Sequence, residues 1–86
     1  MFDKKILIVD DELDIREPLS HYLSMKGFKN VMSAEKANEA LEKIEKHKPD
    51  LVLLDIQLKD EIDGMEILKR TKEKLSPASK VIMISG

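Results

Sequence analysis

A short apolar run followed at once by three acids constrains this chain more than any other feature. Lys5 is followed by four apolar residues, Ile6–Val9, with no alternation that would leave one side of a strand in water. Such a run predicts a strand buried on both faces, as in a parallel sheet covered by helices. Asp10, Asp11 and Glu12 then stand where this strand would end, which is where ligands bind in open α/β sheets. The stretch therefore predicts an α/β fold with an acidic site at one edge of its sheet.

Three helices are predicted from apolar residues that recur at helical spacing. Pro18 is compatible with the first helix only near its start, and Gly27 is predicted to end that helix. Ser33 is predicted to cap the second helix, and the third is expected from about Met65 to Leu75. The positions predicted to be buried are, in chain order, Ile15, Leu19, Tyr22 and Leu23; Ala37, Ala40, Leu41 and Ile44; and Ile67, Leu68, Thr71 and Leu75.

Strand patterns alternate with these helices. A brief strand is predicted at Val31–Met32, and residues 50–55 repeat the first pattern of an apolar run that ends in an acid, here Asp55. A last strand is predicted at residues 80–86, which places the hydroxyl of Ser85 near its end. The resulting order, βαβαβαβ with short connections, requires a parallel sheet with right-handed crossovers. All the carboxyl ends of the strands then meet at one edge of the sheet.

Composition limits the classes of function to consider. With 86 residues the chain makes one domain, and 42% apolar with 37% charged residues is typical of a soluble globular protein. A net charge of −2 gives no reason to expect direct contact with nucleic acid or with a membrane surface. The absence of cysteine excludes disulfides and thiolate metal sites. The apolar runs are too short to span a membrane, so we expect a cytoplasmic protein.

The acids at the strand ends suggest phosphoryl transfer to a carboxylate. Clustered carboxylates repel each other unless a cation neutralises them, and Mg²⁺ takes oxygen ligands from one or two carboxylates. Asp55 would be the nucleophile, as carboxylates are in aspartyl-phosphate chemistry. Mg²⁺ would be held by Asp11 and Asp55, with Asp10 acting through water. Ser85 could donate a hydrogen bond to a phosphoryl oxygen, and such chemistry needs few protein groups beyond these.

Four short strings resemble the receiver domain of two-component response regulators: Ile8–Glu12, Leu53–Asp55, Asp63–Gly64 and Ile84–Gly86. The resemblance implies a flavodoxin-like parallel sheet, for which the family order is 2-1-3-4-5. It also implies that Asp55 is the phosphoacceptor and that Asp10 and Asp11 are the acids that bind Mg²⁺. By the same resemblance, Ser85 is the hydroxyl that senses the phosphate, and Gln57 supplies a backbone carbonyl to the metal.

The function implied by this resemblance is that of a signalling module. A receiver takes a phosphoryl group from a sensor histidine kinase or a phosphotransfer protein and passes the signal to an effector domain or a partner protein. It is not a metabolic enzyme, although it could catalyse its own phosphorylation and dephosphorylation at Asp55. No direct contact with nucleic acid or membrane is expected.

The loop after the acceptor departs from the family pattern. Lys59 stands about where family members usually have a proline, and one extra residue separates Asp55 from Asp63–Gly64. This loop is therefore expected to have a different shape. The difference bears most on the predicted metal contact from Gln57.

The resemblance covers residues 1–86 as the N-terminal part of a receiver domain. The family's fifth strand, its functional lysine and the helices on either side of that strand have no counterpart in the sequence. We therefore expect the strand at residues 80–85 to be an open edge with exposed apolar flanks. Such an edge is a template for pairing with another chain, so self-association is expected.

Three alternatives are open at this point. The acids could be only helix caps, although Asp55 ends a strand with no obvious helix start after it. The chain could be a truncated receiver that acts only as a self-association or interaction module, without phosphorylation switching. A Mg²⁺-dependent phosphohydrolase with an aspartyl nucleophile would need a second acid two residues after that nucleophile, where this chain has Gln57.

Overall fold

The computed structural model describes residues 3–55 and 64–84, which form a four-stranded sheet with helices between the strands. The strands pair in parallel in the order β2-β1-β3-β4. The predicted parallel α/β sheet is confirmed, as is the order that the family resemblance implies for the first four strands. The strands are β1 (Lys5–Val9), β2 (Asn30–Ala34), β3 (Leu51–Asp55) and β4 (Lys80–Ile84), and the helices are α1 (Leu13–Met25), α2 (Ala37–His47) and α3 (Gly64–Lys74).

The strand order distributes the helices over both faces of the sheet. From β1 the chain moves to β2 on one side, and it then crosses back over β1 to β3 and on to β4. Because parallel crossovers are right-handed, this reversal places α1 on one face and both α2 and α3 on the other. We call these the α1 face and the α2–α3 face. α1 contacts β1 and β2, whereas α2 and α3 contact each other as well as the sheet.

The α2–α3 face holds a continuous apolar core. Its strand residues alternate with those that point to the α1 face, as the pleat of a strand requires. Thr71 is also fully buried there, and Leu41, Leu68 and Leu75 are partly buried against the core, so the predicted apolar stripes of α2 and α3 are confirmed. The fully buried members are Leu7, Val9, Ala34, Ala37, Ala40, Ile44, Val52, Leu54 and Ile67.

The other face is covered more thinly. α1 has no fully buried residue, and its predicted inner positions Ile15, Leu19 and Leu23 are only half-buried. The prediction that Tyr22 is buried is wrong, since 55% of its surface is exposed. Pro18 lies at the sixth position of α1, in the second turn rather than the first, where its missing N–H leaves one helical hydrogen bond unmade. Sequence periodicity overestimated the burial of this helix.

The end of α1 follows the predicted glycine rule. Gly27 has a φ of 105°, a left-handed conformation that glycine adopts without steric cost. The backbone N–H of Phe28 donates to the Leu23 carbonyl at 3.2 Å, and that of Gly27 donates to the Ser24 carbonyl at 3.0 Å. This pair of hydrogen bonds is a Schellman motif, which satisfies the last carbonyls of the helix.

The start of α2 differs from the prediction. Ser33 does not cap the helix but lies inside β2, where it pairs in register with Ile8 of β1. Instead α2 begins after Lys36, and Glu39 reaches back from its first turn so that Oε1 accepts a hydrogen bond from the Glu35 backbone N–H at 3.0 Å. Strand pairing therefore outweighed the capping preference of serine. α2 ends at His47.

Several predicted features lie outside the described residues. These are the features predicted at Gln57, Lys59, Asp63 and Ser85. The third helix begins at Gly64 and ends at Lys74, one residue earlier at each end than predicted. Within residues 3–55 and 64–84, no helix combines the length and the apolar character that crossing a membrane requires.

Candidate functional site

Three carboxylates meet where β1 and β3 end. Asp10 and Asp11 follow β1 directly, and Asp55 is the last residue of the neighbouring strand β3. One carboxylate oxygen from each of the three lies within 4.8 Å of the others. Asp10 is 1% exposed and Asp55 is 3% exposed, whereas Asp11 is half-buried. The predicted convergence of these acids is therefore confirmed.

Asp10 is held from three directions. Its backbone N–H donates to the Ala34 carbonyl at 3.1 Å, which continues the parallel pairing of β1 with β2. Its Oδ1 accepts a hydrogen bond from the Glu12 backbone N–H at 2.9 Å, an Asx turn that leads into α1. Its own carbonyl accepts a 2.7 Å hydrogen bond from Nη1 of Arg16. The residue therefore has little freedom to change its orientation.

The remaining oxygen of Asp10 is the unusual atom of the site. Oδ2 is buried, and none of the described residues donates a hydrogen bond to it. Burial raises the pKa of Asp10 above its ordinary value, and the negative charges of Asp55 and Asp11 raise it further. The hydrogen bond from Glu12 and the charge of Arg16 lower the pKa but do not outweigh these effects. A buried, unpartnered carboxylate oxygen beside two more acids has an unfavourable electrostatic environment.

This donor set fits a hard divalent cation. Three carboxylates within a few ångströms offer the oxygen ligands that Mg²⁺ prefers, and Mg²⁺ usually keeps water and phosphate in its other positions. A cation with its bound water would also give Asp10 Oδ2 the favourable partner that it lacks among the described residues. The alternative in which the acids only cap helices fits less well. α1 has no side-chain cap at Glu12, and Asp55 ends a strand well before α3 begins.

Sequence reasoning missed Arg16 and described only part of the surroundings of the acids. Arg16 stands six residues after Asp10, near the start of a predicted helix. Helical side chains lean toward the N-terminus of their helix, so a long side chain at this spacing can reach back to the strand end. The spacing of Arg16 from Asp10, within a predicted helix, was the feature of the sequence that could have identified this contact. Of the other predicted site residues, Ser85 and Gln57 lie outside the described residues.

The chain matches one protein family along nearly all of its length. A family model described as the response regulator receiver domain matches residues 6–86. The chemotaxis protein CheY of Listeria monocytogenes is 41% identical over 82 residues, which are 95% of this chain and 67% of that protein. The alkaline phosphatase synthesis transcriptional regulatory protein PhoP of Bacillus subtilis is 42% identical over 72 residues, which are 84% of this chain and 29% of PhoP.

The structural comparison agrees with the sequence comparison. The crystal structure of the receiver domain of NtrX from Brucella abortus superposes with a TM-score of 0.86 at 41% sequence identity. The match covers 95% of this chain and 68% of that one. The chain therefore spans about two thirds of CheY and of the NtrX receiver domain, and less than a third of PhoP.

Proposed function

Because this chain belongs to the receiver-domain family of response regulators, we propose that Asp55 accepts a phosphoryl group in the presence of Mg²⁺. Receiver domains are the phosphoacceptor modules of two-component signalling systems, and they bind Mg²⁺ at their acidic pocket. The observation that carries the proposal is the convergence of Asp10, Asp11 and Asp55 at the ends of β1 and β3. Residues 1–86 would then be the N-terminal part of a receiver domain.

The proposed roles follow from the chemistry of each group. An Asp55 carboxylate oxygen would attack the phosphorus of the donor, forming a new O–P bond while the bond from phosphorus to the leaving group breaks. When bound, Mg²⁺ would neutralise charge on the phosphoryl oxygens. Asp11 and Asp55 are the proposed metal ligands, with Asp10 acting through water and Gln57 through its backbone carbonyl. Ser85 is the proposed hydroxyl that senses the phosphate.

The proposal extends to the signalling partners. Receiver domains interact with histidine kinases or phosphotransfer proteins and with effector domains. We expect one such donor to supply the phosphoryl group and one such effector or partner protein to read it, in the cytoplasm. Receiver domains are phosphoacceptors with weak autophosphatase activity rather than metabolic enzymes. Accordingly, the only reactions proposed for this chain are phosphorylation and dephosphorylation of its own Asp55.

Incubation with acetyl phosphate and Mg²⁺ tests the acceptor assignment. Intact-mass spectrometry should show one added phosphoryl group, and Asp55→Asn should remove the modification completely because an amide is not a nucleophile of this kind. Asp14→Asn is the matched control, since it removes an exposed acid from the first turn of α1 at the same end of the sheet. Modification of Asp55→Asn at the unsubstituted level would place the acceptor elsewhere.

A second part of the proposal is that two copies associate through β4. This strand pairs with β3 on one side, and the described residues supply no strand for its other side. Ile82 of β4 is 49% exposed, and α1 contacts β1 and β2 rather than this part of the sheet. An apolar strand edge that the described residues leave unpaired favours edge-to-edge pairing with an identical strand.

Light scattering over a concentration series tests this association. We expect the mass to rise toward a dimer in the unsubstituted protein and to stay at the monomer value in Ile82→Lys, because a charge on an edge strand opposes pairing. Met25→Lys is the control, since Met25 is 73% exposed on α1. A monomer at every concentration would remove the association. Association without phosphoryl uptake would instead favour a pure interaction module.

A further inference from the structure

Arg16 makes an unusual contact with the acidic site. The side chain is half-buried and leans back from the first turn of α1 toward the end of β1. Its Nη1 donates to the backbone carbonyl of Asp10 at 2.7 Å, a length typical of charge-assisted hydrogen bonds. The guanidinium is therefore fixed to the main chain of a residue of the cluster, at the point where the chain turns from strand to helix.

We propose that Arg16 is a positioning residue of this site, which holds the Asp10 main chain so that its carboxyl stays in the metal-binding arrangement. The inference rests on the proposed Mg²⁺ site. Asp10 has two further anchors, the Ala34 carbonyl and the Glu12 N–H. Both come from backbone groups, so Arg16 is the side chain, among the described residues, that ties Asp10 to α1.

The surroundings of Arg16 support a fixed position. Burial raises the pKa of Asp10 and the positive charge of Arg16 opposes that rise, whereas the hydrogen bond from Glu35 lowers the pKa of Glu39 and the same charge adds to that lowering. Glu39 is itself held by the Glu35 backbone N–H and by an ion pair of 3.3 Å with Lys43. The positive charge of Arg16 therefore interacts favourably with acids of two different elements, and its hydrogen bond to the Asp10 carbonyl favours one orientation of this long side chain.

Two physical effects of Arg16 on Mg²⁺ binding have opposite signs. A positive charge beside a cation site repels the cation, so a purely electrostatic role predicts tighter Mg²⁺ binding after the charge is removed. A positioning role predicts weaker binding, because partners that orient metal ligands typically contribute about 10- to 100-fold to metal affinity. The sign of the change therefore distinguishes the two roles.

Calorimetric titration with Mg²⁺ measures this sign. We expect Arg16→Gln to weaken binding about tenfold or more, and Arg16→Lys to restore part of the affinity because it keeps a charged donor. Arg70→Gln is the matched control, since Arg70 lies on α3 in an exposed pair with Glu66 and its loss should change the affinity less than about twofold. Unchanged or tighter binding by Arg16→Gln would overturn the positioning role.

A measurement without metal separates this inference from the proposed function. The Glu12 amide proton donates to Asp10 Oδ1, so its hydrogen exchange reports the position of that carboxyl. We expect exchange to become about fivefold faster in Arg16→Gln, the factor that corresponds to one typical net hydrogen bond, and to stay unchanged in Arg70→Gln. Unchanged exchange in Arg16→Gln would contradict the positioning role. The expected exchange pattern in a protein that binds no Mg²⁺ would instead remove the proposed function.

Discussion

The two faces of the sheet differ in how completely they are covered. On the α2–α3 face, strand and helix residues form a core whose members are at most 1% exposed. On the α1 face, the described residues supply one helix over β1 and β2; Ile6 and Ile8 of β1 are buried there, but α1 has no fully buried residue of its own and Ile82 of β4 is 49% exposed. The difference follows from the reversal of strand order at β1, which sends one crossover to one side and two to the other.

The acidic site lies on one particular side of the sheet. Within β3, Leu51, Leu53 and Asp55 share one side of the strand, while Val52 and Leu54 belong to the α2–α3 core. Asp55 therefore lies on the α1 side. The candidate site therefore lies at the edge of the α1 face, where Asp11 is half-buried, while the opposite face supplies a closed core.

Two neighbouring leucines give the sharpest test of this difference between the faces. Leu54→Ala should lower the free energy of unfolding by about 3 kcal/mol, because it leaves a cavity in the closed core. Leu53→Ala should lower it by only about 1 kcal/mol, because this half-buried side chain faces the α1 side. Urea unfolding followed by circular dichroism measures both.

Residue type, strand and neighbourhood are matched in this pair, so the face of the sheet is the main variable. Equal losses of unfolding free energy would show that the α1 face is packed as tightly as the other. A larger loss for Leu53→Ala would reverse the comparison altogether. Equal losses would also weaken the support for association through β4, which depends in part on the exposure of Ile82.

Much of the fold could be predicted because its signals are local. The apolar run of β1, the stripe of α2 and the glycine after α1 each depend on residues close in sequence. Ser33 and Tyr22 were predicted wrongly because their environments are set by distant parts of the chain. Ser33 pairs with Ile8, and Tyr22 stays exposed because no described element lies over it.

The candidate site could likewise be predicted only in part from the sequence. The convergence of Asp10, Asp11 and Asp55 could be predicted, since parallel strands end at a common edge. The unpartnered Oδ2 of Asp10 and the hydrogen bond from Arg16 to the Asp10 backbone carbonyl could not be predicted, because they depend on side-chain orientation and on how far one helix leans over a strand end. Sequence patterns define which groups meet at an edge but not which of their atoms are satisfied.

The smallest expected change in stability is at Asp10. Burial of its charged carboxylate destabilises the fold, whereas burial of the apolar Leu54 side chain stabilises it. Asp10→Asn should raise the free energy of unfolding of the metal-free protein near neutral pH by on the order of 1 kcal/mol, since it removes a buried charge beside two acids. The amide oxygen can still accept from the Glu12 N–H. The same substitution should remove most of the stabilisation that Mg²⁺ gives to the unsubstituted protein.

The direction of the pKa shift of Asp10 determines how stability should change with pH. Because burial raises the pKa of Asp10 above its ordinary value of 3.8, the folded state holds this proton more tightly than the unfolded state. The contribution of Asp10 to stability is therefore greatest below pH 3.8 and is lost as the pH rises through the raised pKa. The stability of Asp10→Asn relative to the unsubstituted protein should grow over that window, as measured by urea unfolding at a series of pH values.

Glu17→Gln, which removes an exposed acid from α1, should give a nearly flat difference. A flat difference for Asp10→Asn as well would mean that water reaches the Asp10 carboxylate, and that the α1 face is open even at the end of β1.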